Sequence, residues 1–80
     1  MTHYTEADVA LSDRHIAAGE ARIVQQETLL TALGVRNQST DVARDLLRQL
    51  NVTLAEHRKH RVAIVAAIED AARSVLPRSR

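Results

Sequence analysis

With two glycines and one proline in 80 residues, this chain has almost nowhere to turn. Gly and Pro end helices and permit tight reversals, so their positions divide the sequence more firmly than any other feature. Gly34 follows one long helical pattern and Pro77 follows another, while Gly19 falls inside the first. The expectation is an all-α chain of one domain, with helix one over residues 5–33, a connection over 34–39, helix two over 40–76 and a tail over 77–80.

Local signals agree with that division. Thr5-Glu6-Ala7-Asp8 offers an N-cap hydroxyl with an acidic residue three positions on, and Tyr4 and Val9 are spaced for a hydrophobic staple. Gly34 is expected to take the left-handed conformation that closes a helix. Ser39 or Thr40 is placed to cap helix two, whose first turns carry Asp41 and Asp45 and whose last turn carries Arg73, each complementing the helix dipole.

Apolar residues recur every seven positions. In helix one Val9, Ile16, Ile23 and Leu30 form one row, and Ser12, Gly19, Gln26 and Leu33 form its neighbour. In helix two Leu47, Leu54, Ile68 and Val75 form one row, and Leu50, Ile64 and Ala71 the other, with Arg61 and His57 filling the gap in each. A short connection forces the helices antiparallel, so residues whose numbers sum to about 73 should lie level. Gly19 then faces Leu54, Ile16 faces His57, and Ser12 faces Arg61. A glycine inside a helix costs about 1 kcal/mol relative to alanine, and closer approach of the partner helix at Leu54 is the packing return expected for it.

The same register gathers Asp13, His15 and Glu20 around His57, His60 and Arg61. This reads as a polar layer in the seam, with Arg61 paired to Asp13 or Glu20 and His57 bonded across, which costs stability but specifies register and helix number. Histidines in such a layer also titrate between pH 5 and 8, which makes pH-dependent association an expectation to test. His15, Glu20, His57 and His60 are in addition the candidate ligands if the layer takes up a transition metal; the preferred expectation is no metal and no cofactor. His57-Arg58-Lys59-His60-Arg61 is a short basic run, but helical geometry spreads it round more than a full turn and leaves only Arg58 and Lys59 outward.

Composition bounds the function. Eleven basic and ten acidic residues give a formal charge of +1, and Tyr4 is the single aromatic, so neither strong phosphate attraction nor a base-stacking platform is expected. The absence of Cys excludes disulfides and thiolate metal sites. Neither an export signal nor a run of about 18 apolar residues is present, and a cytoplasmic protein is the expectation.

A chain this small buries little surface alone. Helix two runs past helix one beyond Ile68, carrying Val75 and Leu76, and a second stripe on helix one, Ala17, Ala21, Val24 and Thr28, suits close packing between hairpins. A two-helix, coiled-coil-like hairpin completed to a four-helix bundle by homodimerisation is the simplest closed solution.

His15-Ile16-Ala17-Ala18-Gly19-Glu20-Ala21-Arg22-Ile23 with Gln26, and Leu54-Ala55-Glu56-His57-Arg58-Lys59-His60-Arg61, resemble segments H-x-x-x-G-E-x-x-I…Q and L-x-x-H-x-x-H-R of a group of small uncharacterised bacterial proteins. The resemblance covers residues 12–64. It implies a helical hairpin in which His15, Gly19, Glu20, His57 and Arg61 belong to one feature, and it brings no activity with it.

No nucleophile, oxyanion donor set or paired carboxylates stand out, so the expectation is a non-enzymatic interaction or assembly module, self-associating or docking on a larger protein. Two further readings stand beside it: a small His/Glu metal-binding bundle, and a regulator that contacts nucleic acid or a polymerase through its arginines.

Overall fold

The computed structural model describes residues 3–75, and they form two α-helices packed against each other as a hairpin, α1 over Glu6–Val35 and α2 over Asp41–Val75. The expected helix end at 76, Leu76 itself, Pro77 and the tail lie outside the described residues, as does the side chain of Val75.

Each helix end follows from its local chemistry. Thr5 is extended at the N-cap of α1, and the Asp8 carboxylate accepts hydrogen bonds from the Thr5 backbone N–H at 2.8 Å and from its hydroxyl at 3.3 Å. At the other end the helix runs on through Gly34, which is not left-handed; the left-handed residue is Asn37, at φ 58°. Gln38 N–H reaches the Leu33 carbonyl at 2.9 Å and Asn37 N–H reaches Gly34 at 3.0 Å. This pair of bonds is the Schellman closure, with Asn, the side chain that best tolerates positive φ, in the position where glycine is commonest. Gly34 as the left-handed cap is thereby corrected, and the connection moves to residues 36–40. Thr40 precedes α2: its carbonyl accepts Arg44 N–H at 2.8 Å, and its hydroxyl accepts from Arg44 Nε at 2.9 Å.

The seam follows the heptads. Between Val9 and Ile68 every seam position is buried or half-buried, including the interruptions Ser12, Gly19, Gln26, His57 and Arg61, whereas Ala71 is exposed because α1 does not reach its level. The deepest apolar side chains are Ala43, Leu54 and Ile64, and none of the large ones is completely buried. Gln26, 8% exposed, donates from Nε2 to the Ala43 carbonyl at 2.9 Å, so its amide crosses from α1 into the first turns of α2, where the small Ala43 lets it approach.

Gly19 leaves room for Leu54 to pack against α1. A Cβ built there would stand 3.3 Å from Cδ1 and 3.9 Å from Cβ of Leu54, a residue only 5% exposed, so the bare backbone of α1 forms part of the surface that buries Leu54. A Cβ on Gly34 would meet nothing within 4 Å.

The two glycines should therefore respond oppositely. Gly34→Ala removes backbone entropy from the unfolded chain with no steric cost and should stabilise by roughly 0.5–1 kcal/mol. Gly19→Leu forces the helices apart at Leu54 and should destabilise by about 2 kcal/mol or more, at the upper end of overpacking costs. Urea midpoints at matched concentration check both; a destabilised Gly34→Ala would contradict the closure at Asn37.

Candidate functional site

The polar residues that share one level of the hairpin divide between its two edges. On α1, His15 and Glu20 stand on opposite flanks of the seam; on α2, one residue's step turns Arg58 about 100° away from His57.

One edge is charged. Arg61 Nε donates to the Asp13 carboxylate at 2.5 Å, and Arg58 donates to Glu20 at 3.0 Å. The two acids are seven apart on α1 and the two arginines three apart on α2, so each set shares a flank. The side chains are 39–57% exposed, which holds each pair to about 0.2–1 kcal/mol. Their effect is on register: sliding one helix by a turn breaks both. A groove of about 280 Å³ between Glu6, Val9, Arg61, Val65, Ile68 and Glu69 lies along the same edge.

The other edge carries imidazoles and leucines. The His15 and His57 ring centres are 5.4 Å apart with planes inclined at 51°, and Tyr4 meets His60 edge to face at 6.2 Å. A groove of about 260 Å³ runs between His15, Ala18, Gly19 and Arg22 of α1 and Leu50, Thr53, Leu54 and His57 of α2. A smaller one of about 90 Å³ continues it past His15 to Tyr4, Asp8, Leu11, Ser12, His60 and Ile64. Among the described residues, Arg22 and Asp8 are the only Arg, Lys, Asp or Glu residues lining the two. Leu11, Leu29 and Leu46, between 43% and 47% exposed, extend this edge along both helices at three- and four-residue steps.

The residues expected to form one polar layer are thus found as four separate pairings at neighbouring levels: Asp13 with Arg61, Glu20 with Arg58, His15 with His57, and His60 with Tyr4. His15, Glu20, His57 and His60 do not make a single ligand set, because Glu20 is on the charged edge and His60 lies against Tyr4; among the described residues no three His, Asp or Glu side chains converge. The basic run is taken apart in the same way, two of its three cations facing carboxylates of α1.

The expected contact stripe Ala17, Ala21, Val24 and Thr28 is exposed on the outer side of α1, with Val24 at 61%. The hydroxyls of Thr28 and Thr31 donate back to the Val24 and Glu27 carbonyls. Ile68 is half-buried beside Glu6 and Val9, so part of its apolar surface is already used within the hairpin. Sequence reasoning missed the Arg58–Glu20 pair and the bond from Gln26 to Ala43. The first was available from the shared flank of Arg58 and Arg61; the second depends on how closely Ala43 lets α1 approach.

A double-mutant cycle on Asp13→Ala and Arg61→Ala should give a coupling of no more than about 1 kcal/mol, falling further in 1 M salt as exposed charges are screened. A coupling of several kcal/mol, insensitive to salt, would mean that the pair is desolvated.

No helix among the described residues is long and apolar enough to cross a membrane. Comparison with protein-family models, with curated proteins and with solved structures finds no match for this chain.

Proposed function

We propose that the protein is a non-enzymatic assembly module that pairs with a second copy of itself through the imidazole and leucine edge, giving a four-helix bundle. The observation that carries this reading is the surface. Leu11, Leu29 and Leu46 stay 43–47% exposed along that edge, beside an open groove of about 260 Å³, and a contiguous apolar border rimmed by polar groups marks an interaction surface.

The edge with His15 and His57 suits that contact better than the alternatives. Its leucines offer more apolar area than the Ala and Thr side chains of the outer α1 stripe, and burial energy scales with that area. The opposite edge would have to desolvate two ion pairs.

A two-fold axis between facing hairpins, perpendicular to the helices and level with the middle of α2 near Arg58, sets α2 against α2 along its whole length. In that arrangement the part of α2 that runs past α1 lies level with the partner's Val42, which is 82% exposed in one hairpin. Arg22 comes level with the partner's Val9, within one turn of the partner's Asp8, so the two opposite charges lining the edge meet.

Sedimentation equilibrium at micromolar concentration should give twice the chain mass. Leu29→Lys with Leu46→Lys should shift the chain to monomer and lower its helicity, whereas Glu20→Gln with Arg58→Gln, on the charged edge, should leave the mass unchanged. A native chain that sediments as a helical monomer overturns the proposal.

A further inference from the structure

We propose that His15 and His57 are half of a transition-metal site, completed by the same two residues of the second copy; the inference rests on the dimer just described. Two imidazoles bound to one tetrahedral Zn²⁺, with Zn–N bonds of about 2.0–2.1 Å, hold their ring centres about 5 Å apart. The His15 and His57 ring centres are 5.4 Å apart and their planes are inclined rather than stacked. Both rings line the open groove, His15 exposed and His57 half-buried, so an ion can enter between them without unpacking the seam.

One hairpin supplies only two such nitrogens, and no third His, Asp or Glu among the described residues joins them. A tetrahedral ion needs two more ligands, and symmetry provides them. His57 lies next to the midpoint of α2, so the two-fold axis that overlaps the whole of α2 with its copy passes level with His57 and brings both pairs to one point. An isologous interface places such residues opposite their own copies. The result is four neutral imidazoles without thiolate or carboxylate, a donor set suited to Zn²⁺, Co²⁺, Ni²⁺ or Cu²⁺ and poorly suited to Ca²⁺ or Mg²⁺.

Among the described residues, Arg22 is the one cation lining the same groove. It lies seven residues from His15, about 10 Å along α1, where its charge opposes a dication without blocking it.

The test is titration of the full-length, chelator-treated protein with Zn²⁺ by calorimetry, with native mass spectrometry for stoichiometry and Co²⁺ absorption for geometry. The expected result is one ion per two chains, a tetrahedral Co²⁺ spectrum, and a dissociation constant weakened on the order of a hundredfold or more in His15→Ala and in His57→Ala. Glu20→Gln, on the charged edge, should bind as the native chain does. His15 is exposed, so His15→Ala keeps its helicity even if His57→Ala does not. A dimer that binds no Zn²⁺, or binds it equally well without His15, overturns the metal site and leaves the assembly reading standing. A monomer both with and without Zn²⁺ overturns both. A chain that is monomeric in chelator and dimeric with Zn²⁺ supports the site and overturns pairing through the apolar edge alone.

Discussion

Two helices share one line of contact, and everything about this chain follows from how little a single line can bury. A helix presents a stripe to its neighbour, and with no third element among the described residues, those on the stripe's borders stay half in water. That is the state of Val9, Ile16, Ile23, Leu30, Leu47 and Leu50, all half-buried at seam positions. The chain deepens the line where it can. It strips α1 to backbone at Gly19 so that Leu54 is 5% exposed, and it anchors the turn end with the Gln26 amide on the Ala43 carbonyl. Neither device creates an interior.

What lies on the borders therefore decides what the molecule does next. The charged border satisfies itself, with Asp13 and Glu20 each facing an arginine of α2, and such pairs do not invite dehydration. The other border is left with leucines, imidazoles and one charge of each sign lining an open groove. An exposed apolar border rimmed by polar groups is the kind of surface that marks association sites, and it is the one through which pairing is proposed. The apolar residues of α1 are spread round the helix, whereas those of α2 gather on one face.

Much of the fold was legible in the sequence because the relevant signals are local or periodic. The capping pair of Thr5 and Asp8 and the heptad rows needed only spacing. The level at which Gly19 meets Leu54 followed from the shortness of the connection. Two kinds of feature were not legible. The first is a choice among residues with similar propensities: Gly34 and Asn37 both accept a left-handed conformation, and the hydrogen bonds to Leu33 and Gly34 decide in favour of Asn37. The second is angular. Register places His15, Glu20, His57, His60 and Arg61 near one level, but level alone does not separate them round the helix. The rotation that splits them into an imidazole pair and two ion pairs depends on how the helices roll against each other, and the size of Ala43 and Gly19 takes part in setting that.

The central claim, that one hairpin is half of the folded unit, is tested most directly by the thermal unfolding midpoint of the metal-free protein measured over a hundredfold range of chain concentration. If folding and pairing are coupled, the midpoint rises steadily with concentration by mass action. A cooperative midpoint that does not move over that range would mean that the isolated hairpin is stable on its single line of contact, and would contradict the account.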